Sequence, residues 1–390
     1  MNQGKYVFAQ INSLVVRYEF DKCVSRYRGN YKIRDFSCWN QFLCMMFGQL
    51  THRESIRDIA TCLKAHQNKV YHLGIKQAIS HSTITRANES RDWRIYADYA
   101  KHLIGVVRPL YAEDKEFSED LNNTVYALDS TTIDLCLSIF PWARFRKHKA
   151  AVKLHTLLDL RGNIPVFVDI TDGKVHDLNT LDLIDFEPDA IYVMDKAYTD
   201  FARLFDIDQN EAFFVIRGKD NLKFRCVSST KIDKSAGLKC DQTIRLTGPK
   251  TSKLYPQRLR RIKYRDPDTN SLLVFLTNNF DIKAEDICIL YKNRWQIELF
   301  FKWIKQHLRI KSFWGYSPNA VKTQVWIAIC TYLLVAYAKK ILNSELSLYE
   351  ITQILAVSVF DKTPLNELLT NFSKSDEIKE NYNQLNMFEL

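Results

Sequence analysis

The sequence predicts an α/β protein in which an all-α region precedes the strands, a mostly β insertion interrupts them and further helices follow. Residues 1–118 place apolar side chains at helical spacing and contain no clear alternating strands. From about Asn123, short apolar strands alternate with helical segments. Residues 218–279 bring turn-forming clusters and further strand-like stretches before a helical pattern resumes.

The N-terminal region is predicted to be a helical domain that binds DNA. A group of N-cap residues from Ser80 to Thr83 precedes a predicted helix that runs to about Val107. The order of helix, short helix, turn and longer helix is compatible with a helix-turn-helix arrangement. Three arginines near the start of the last helix lie where recognition side chains would meet DNA: Arg86, Arg91 and Arg94. A helical bundle with no role in DNA binding would show the same pattern.

Five strands are predicted in the central region, and two of them lead directly to an aspartate. They cover residues 124–128, 152–160, 164–170, 191–194 and 213–216, with helices near 178–184 and 201–205. The first strand is followed by Asp129 and the fourth by Asp195. Three strands, a helix and then strands alternating with helices is the order of the ribonuclease-H-like fold. Because functional groups gather where adjacent parallel strands end, both aspartates are candidate site residues.

The positive charge is concentrated in the insertion. The chain has a net charge of +10 and a pI near 9.0, which favours a polyanionic partner. Residues 217–263 contain 14 Lys or Arg against 3 Asp, a balance of +11, whereas residues 344–390 contain 8 acids against 3 bases, a balance of −5. The C-terminal end is therefore excluded as a phosphate-binding surface. The predicted domains are a helical N-terminal domain (1–118), a core (119–217 and 280–342), a basic β-rich insertion (218–279), a helical C-terminal region (343–372) and a flexible tail (373–390).

Cysteine usage and hydropathy predict a cytoplasmic protein. The nine cysteines are odd in number, scattered and without a CxxC pair, which argues for reduced thiols and against a zinc site. No basic segment followed by an apolar stretch opens the chain. The longest apolar run, residues 325–336, is too short to span a bilayer and predicts a buried helix.

One predicted helix presents four polar groups on the same face. Tyr291, Arg294, Glu298 and Lys305 are spaced three, four and seven residues apart, so at 100° per residue they fall within an arc of about 60°. One acid beside three groups that can bind phosphate oxygens suits a metal-dependent site that cuts phosphodiesters. The alternative is an ordinary surface ion pair between Arg294 and Glu298.

Asp129, Asp195 and Glu298 form a candidate set of metal ligands. Carboxylates on one fold can hold two magnesium ions about 3.5–4 Å apart, which activate the attacking oxygen and stabilise the leaving oxygen. Oxygen ligands favour Mg²⁺, with Mn²⁺ as a substitute. A turn or cap for Asp129 and a solvated acid for Asp195 are the alternatives. Other carboxylates compete in the same region: Asp134, Asp159, Asp169, Asp172 and Asp177.

These motifs resemble those of bacterial insertion-sequence transposases. The helical tetrad resembles the Tyr-Arg-Glu-Lys signature of the family named after insertion sequence four. The segment Asp-Lys-Ala-Tyr from Asp195 is similar to the second-aspartate motif of that family, and Ala-Leu-Asp-Ser-Thr around Asp129 is similar to the first. The resemblance covers nearly the whole chain.

The resemblance implies a DDE transposase, associated with the nucleoid, that binds the terminal inverted repeats of its element and target DNA. Asp129, Asp195 and Glu298 would be the catalytic metal ligands. Tyr291, Arg294 and Lys305 would hold phosphates at the cut. The family acts as dimers, through nicking, hairpin formation, hairpin opening and strand transfer. Relatives stack a flipped base on a tryptophan of the insertion.

This insertion contains no tryptophan, so the hairpin step has no assigned stacking residue. Tyr255, Tyr264 or Trp295 could take that role. A ribonuclease-H-like nuclease without strand transfer and a non-catalytic repressor derived from a transposase are the rival functions.

Two basic segments and the C-terminal tail are further candidate contact regions. The first basic segment lies between the first two strands, where a solvated turn is the alternative, and the second lies in the insertion, the better phosphate surface. Their candidate DNA contacts are Arg144, Lys147, Lys149, Lys153, Arg258, Arg260 and Arg261. In the tail, the peptide Gln-Leu-Asn-Met-Phe resembles those that bind the replication sliding clamp, with a turn folded back onto the core as the alternative. Its candidate clamp-binding residues are Gln384, Leu385, Met387 and Phe388.

Overall fold

The computed structural model describes residues 4–77, 79–114, 121–147, 149–219, 221–233, 237–267, 269–307 and 313–370. The predicted clamp-binding peptide at 384–388 therefore lies outside the described residues. The chain divides into two compact units, one made of residues 1–110 with 303–390 and the other of residues 111–302. This division differs from the predicted domains, because residues 303–342 belong with the N-terminal helices rather than with the strands.

The first unit is helical. Its helices are α1 (Val7–Asn12), α2 (Arg17–Arg26), α3 (Cys38–Leu50), α4 (Ile56–Ala65), α5 (Gln67–Val70), α6 (His81–Ser90), α7 (Arg94–Val107), α12 (Pro318–Ile341) and α13 (Leu348–Ser358). All thirteen residues of α3 are buried, and its first turn is capped by the Ser37 side chain, which accepts from the Asn40 N–H. The single helix predicted from about residue 80 to 107 is broken near Arg91 into α6 and α7.

Helix α12 forms the centre of this helical unit. Its length and composition would allow it to cross a membrane, but 89% of its most apolar window is buried within the protein. This agrees with the buried helix predicted from the apolar run. One buried polar chain is paired inside the unit: Thr331 donates to Gln49 Oε1 at 2.9 Å, and Gln49 donates to the Gln324 carbonyl at 3.1 Å. Such pairing removes the cost of burying them.

The second unit is built on one mixed sheet. Its strands are β1 (Val125–Leu135), β2 (Arg144–Arg146), β3 (Lys149–Asp159), β4 (Ile164–Asp172), β5 (Ile191–Met194), β6 (Phe213–Arg217), β7 (Phe224–Thr230), β8 (Leu238–Leu246), β9 (Arg258–Arg265) and β10 (Leu272–Thr277). The helices are α8 (Phe201–Gln209), α9 (Thr251–Leu254), α10 (Ala284–Asn293) and α11 (Trp295–His307), the last of which continues into the first unit. The predicted helix near 178–184 is a 3-10 helix, Asp177–Leu183.

The strand order places the buried parallel strands at the middle of the sheet. Among the described residues the order is β2-β3-β1-β5-β6-β10-β9-β8-β7, and β4 pairs with β3. Strands β1, β5 and β6 run parallel, whereas β3 and β4 are antiparallel to their neighbours. The predicted insertion does not stand apart from the core, because β10 pairs with β6 and extends the same sheet.

Candidate active site

The sheet register brings the two predicted aspartates side by side. Leu128 of β1 pairs with Met194 of β5, so Asp129 and Asp195 follow at the same level. The sequence predicted that this strand would end before Asp129, but β1 continues to Leu135 and remains paired with β3. Asp129 is therefore held within a strand, at the level where its parallel neighbour stops.

Helices α10 and α11 supply the rest of the site. The predicted single helix is interrupted at Arg294, which caps α10 before α11 begins at Trp295. Its backbone remains in the right-handed helical region, with φ of −51° and ψ of −27°, so the course of the helix is nearly preserved. The Ile297 and Phe300 side chains of α11 are buried and anchor the helix.

Arg294 joins two of the three acids. It donates from Nη1 to Asp129 Oδ2 at 2.9 Å and from Nη2 to Glu298 Oε1 at 2.8 Å. The Arg294 side chain is only 15% exposed, so this is not the ordinary surface ion pair of the alternative interpretation. The third acid is contacted by Tyr291, whose hydroxyl donates to Asp195 Oδ1 at 3.3 Å.

Burial dominates the electrostatics of this cluster. It raises the pKa of Asp129 to about 6; the Ser130 N–H and Arg294 lower that pKa, and Glu298 and Asp195 raise it further. Burial lowers the pKa of Arg294, but Asp129, Tyr291 and Glu298 raise it by more. Burial also raises the pKa of Tyr291, so its phenol stays protonated and can donate to Asp195. Crowded, desolvated carboxylates of this kind favour a bound cation.

The donor chemistry fits a divalent cation. Asp129, Asp195 and Glu298 offer carboxylate oxygens, which Mg²⁺ prefers. Within the described ranges, however, no group of three acidic, histidine or cysteine side chains is close enough to hold a metal ion. The guanidinium of Arg294 lies between Asp129 and Glu298 and balances their charge instead.

A second polar cluster surrounds Ser130, the residue that follows Asp129 in β1. Ser130 donates to Asp177 Oδ1 at 2.7 Å, and Lys153 donates to the same oxygen at 3.1 Å. His155 Nδ1 lies 3.7 Å from that oxygen, and its Nε2 lies 2.9 Å from the Thr171 hydroxyl. Burial lowers the pKa of His155 by more than Asp177 raises it, so the imidazole is neutral at pH 7. The cluster holds the Ser130 side chain in place, next to Asp129 in the strand.

Three of the predicted DNA contacts are committed to the interior of the protein. Arg91 is buried and donates to the Ser37 and Phe36 carbonyls. Arg260 is buried against Asp241 at 2.7 Å. Lys153 is bound to Asp177 as described above. Each charge has internal partners, which argues against a DNA contact for these three residues.

Five of the other predicted DNA contacts are exposed, and two have partners within the protein. Arg86, Arg144, Lys147, Lys149 and Arg258 are exposed, whereas Arg94 is paired with Asp92 and Arg261 lies over the Phe224 ring. Lys305 lies in the part of α11 that belongs to the helical unit.

The candidate base-stacking residues differ in their exposure to solvent. Tyr255 is fully buried against Phe205 and Phe214, which removes it from contact with a base. Trp295, by contrast, is 57% exposed.

The register also places Arg217, which the sequence did not single out, beside Asp195. Met194 of β5 pairs with Ile216 of β6, so the next residues, Asp195 and Arg217, lie at the same level on adjacent strands. Asp129 and Asp195 are related in the same way on β1 and β5. The signal was present, because Arg217 ends an apolar strand just as Asp195 does. It could not be used without knowing that β6 lies beside β5.

Comparison with protein families identifies the chain. Residues 121–334, more than half of the 390 residues, match the model described as Transposase DDE domain. The chain belongs to the DDE transposase family. Residues 3–76 match a domain of unknown function, DUF4372. Members of the DDE family bind DNA, break and join its strands and generally use divalent metal ions.

Curated relatives agree with the family. The chain is 32% identical over 281 residues to a protein named as transposase y4zB of Sinorhizobium fredii, covering 71% of this chain and 76% of the relative. It is 32% identical to a transposase named for insertion sequence element IS5377 of Geobacillus stearothermophilus, covering 56% of this chain and 59% of the relative. A solved structure titled as a piggyBac transposase synaptic complex with hairpin DNA matches with a TM-score of 0.46 at 9% identity, covering 97% of this chain and 84% of that one.

Proposed function

We propose that the chain cuts the ends of its own insertion sequence at terminal inverted repeats and joins them to target DNA, using two Mg²⁺ ions. The observation that carries this proposal is the convergence of Asp129 and Asp195 on neighbouring parallel strands with Arg294 joining Asp129 to Glu298. Two Mg²⁺ ions held by the three acids would activate the attacking oxygen and stabilise the leaving oxygen.

A ribonuclease-H-like core is part of the same proposal. It is supported by the order β4-β3-β1-β5-β6, in which antiparallel strands precede parallel ones, and by acids on the two central strands. The assignment to the family named after insertion sequence four rests on the tetrad Tyr291, Arg294, Glu298 and Lys305.

The residues around the acids have separate roles in this mechanism. Arg294 holds Asp129 and Glu298 together by its two-pronged guanidinium, which also suits a phosphate. Tyr291 donates to one oxygen of Asp195 and so orients that carboxylate. Lys305 supplies a point charge for a phosphate near the cut. A homodimer would present two such sites, one to each end of the element, and hairpin formation would follow the first cut.

Cleavage of a labelled duplex that carries the terminal repeat tests the proposal. The repeat is read from the DNA that flanks the coding sequence, and the reaction is run with Mg²⁺ and with EDTA. We expect cutting at the repeat end with Mg²⁺ only, and its loss in Glu298→Gln. Glu113→Gln, which changes an exposed carboxylate of the same unit, is the matched control and should cut normally. A hairpin-sized product would support the hairpin route. Tight binding to the repeat without cutting under any metal would instead establish a repressor, and hydrolysis without joined products a nuclease.

A further inference from the structure

A basic cleft of about 480 Å³ opens beside Asp195, over the ends of β5 and β6. One wall comes from residues 195–197, which follow β5, and the other from residues 217–219 with Asn221, which follow β6. Among the residues that the structure describes, the lining carries three cations, from Lys196, Arg217 and Lys219, and one carboxylate, from Asp195. Its volume lies within the range of about 300–1,000 Å³ that small-ligand sites occupy.

The parallel register explains why the cleft is here. Strands β5 and β6 are paired up to Met194 and Ile216, after which the two chains separate, and a crevice forms outside the carboxyl ends of such strands. The Gly218 N–H donates to the Val274 carbonyl at 2.8 Å, which holds the second wall against the sheet. Lys219 donates to the Thr199 carbonyl at 3.4 Å and so ties the second wall to the segment just after the first.

Arg217 is the fixed cation of the cleft. It is the last residue of β6 and is half-buried, and it pairs in register with Phe275 of β10. The Phe275 ring packs against the ring of Tyr291, with 4.7 Å between the ring centroids, and the Tyr291 hydroxyl donates to Asp195. Arg217 forms no ion pair with any residue in the described part of the chain. A half-buried guanidinium that pairs with none of the described carboxylates is suited to bind an external anion.

We propose that this cleft binds one nucleotide of the DNA strand, with the phosphate that neighbours the scissile one held by Arg217 and Lys219. This inference rests on the proposed function, because it places the second phosphate relative to the acids that would cut the first. Asp129 lies on one side of Asp195 in the sheet and Arg217 on the other. The strand would therefore run across the ends of β1, β5 and β6, with its cut phosphate at the acids and the next one in the cleft.

The test combines neutral phosphates in the DNA with substitutions in the cleft. Duplexes with the terminal repeat carry a single uncharged methylphosphonate at successive positions around the cut, and dissociation constants are measured by titration with Ca²⁺ in place of Mg²⁺. For the wild type, we expect one position next to the scissile phosphate to weaken binding about 10- to 100-fold, the range for a charge-assisted hydrogen bond. In Arg217→Gln, that position should cause no further loss, while other positions keep their full effect.

Two further variants distinguish the cleft from general attraction. Arg258→Gln removes an exposed arginine of the same unit, and it should keep the full methylphosphonate effect at the cleft position. Arg217→Lys keeps the charge without the planar fork and should recover part of the lost affinity. Thermal melting confirms that the variants are folded. Losses that simply add in Arg217→Gln at every position would overturn the cleft assignment while leaving the proposed function intact. A wild type that neither binds nor cuts the repeat would overturn both.

Discussion

Replacing Asp129 with Asn should stabilise the metal-free protein at neutral pH. Burial raises the pKa of Asp129 to about 6 from an ordinary value of 3.8, despite the opposing effects of the Ser130 N–H and Arg294. A difference of about 2 pKa units corresponds to about 3 kcal/mol that the charged carboxylate costs the folded state. Asn carries no charge and keeps an oxygen that can accept from Arg294, so most of this cost should disappear.

The pH dependence gives this prediction its sign. Since the folded-state pKa lies above the unfolded-state value, the native protein binds more protons than the unfolded chain between about pH 4 and pH 6. The stability of the wild type relative to Asp129→Asn therefore falls as the pH rises through that window, by up to about 1.4 kcal/mol per pH unit. The difference should vanish below about pH 4, where the carboxyl group is neutral in both states, and level off above about pH 7.

Urea unfolding in EDTA, followed by tryptophan fluorescence, measures the difference. The wild type and Asp129→Asn are compared at intervals between about pH 4.5 and pH 7.5, within the window set by linkage. Asp134→Asn, at an exposed position on the same strand, is the control and should change the unfolding free energy by less than about 0.5 kcal/mol. The reasoning is refuted if Asp129→Asn is no more stable than the wild type near neutral pH, or if its advantage does not change with pH.

Three other predictions follow from particular contacts. Arg260→Met leaves Asp241 buried without its partner, so unfolding should become easier by about 3–5 kcal/mol in calorimetry, with recovery when Asp241→Leu is added. Asp177→Asn weakens the polar cluster around Ser130, which holds the strand next to Asp129 in position. It should slow cleavage about 10- to 100-fold, as the loss of a hydrogen-bond partner beside a metal ligand does, with unchanged affinity for the repeat. An unchanged cleavage rate would contradict this positioning of Asp129 by the cluster. Arg86→Gln should weaken DNA binding and flatten its salt dependence, whereas Arg91→Gln should lower the melting temperature instead; the opposite pattern would show that the two roles are exchanged.

The strands and their acids could be predicted because their signals are local. The apolar runs at 191–194 and 213–216 form β5 and β6 with nearly the expected bounds, and the fourth strand ends at Met194, immediately before Asp195, as predicted. These features depend on neighbours within one or two turns, which the sequence displays directly.

The burial of charged residues could not be predicted in the same way. Arg91, Lys153 and Arg260 look like surface cations in the sequence, yet each is paired inside the fold. Their partners lie between 19 and 55 residues away along the chain. Only the folded chain decides which cations remain available to DNA, because pairing depends on groups brought together by packing.

The sequence by itself determined the class of this protein, the identity of its candidate acids and the location of its positive charge, since residue type and short-range periodicity carry that information. The tertiary structure decided how the parts combine. It extended β1 past Asp129, merged the insertion into the sheet, assigned residues 303–342 to the helical unit and aligned Arg217 with Asp195. Each of these outcomes depends on strand register or on packing between distant segments, and neither is written in any local stretch of the chain.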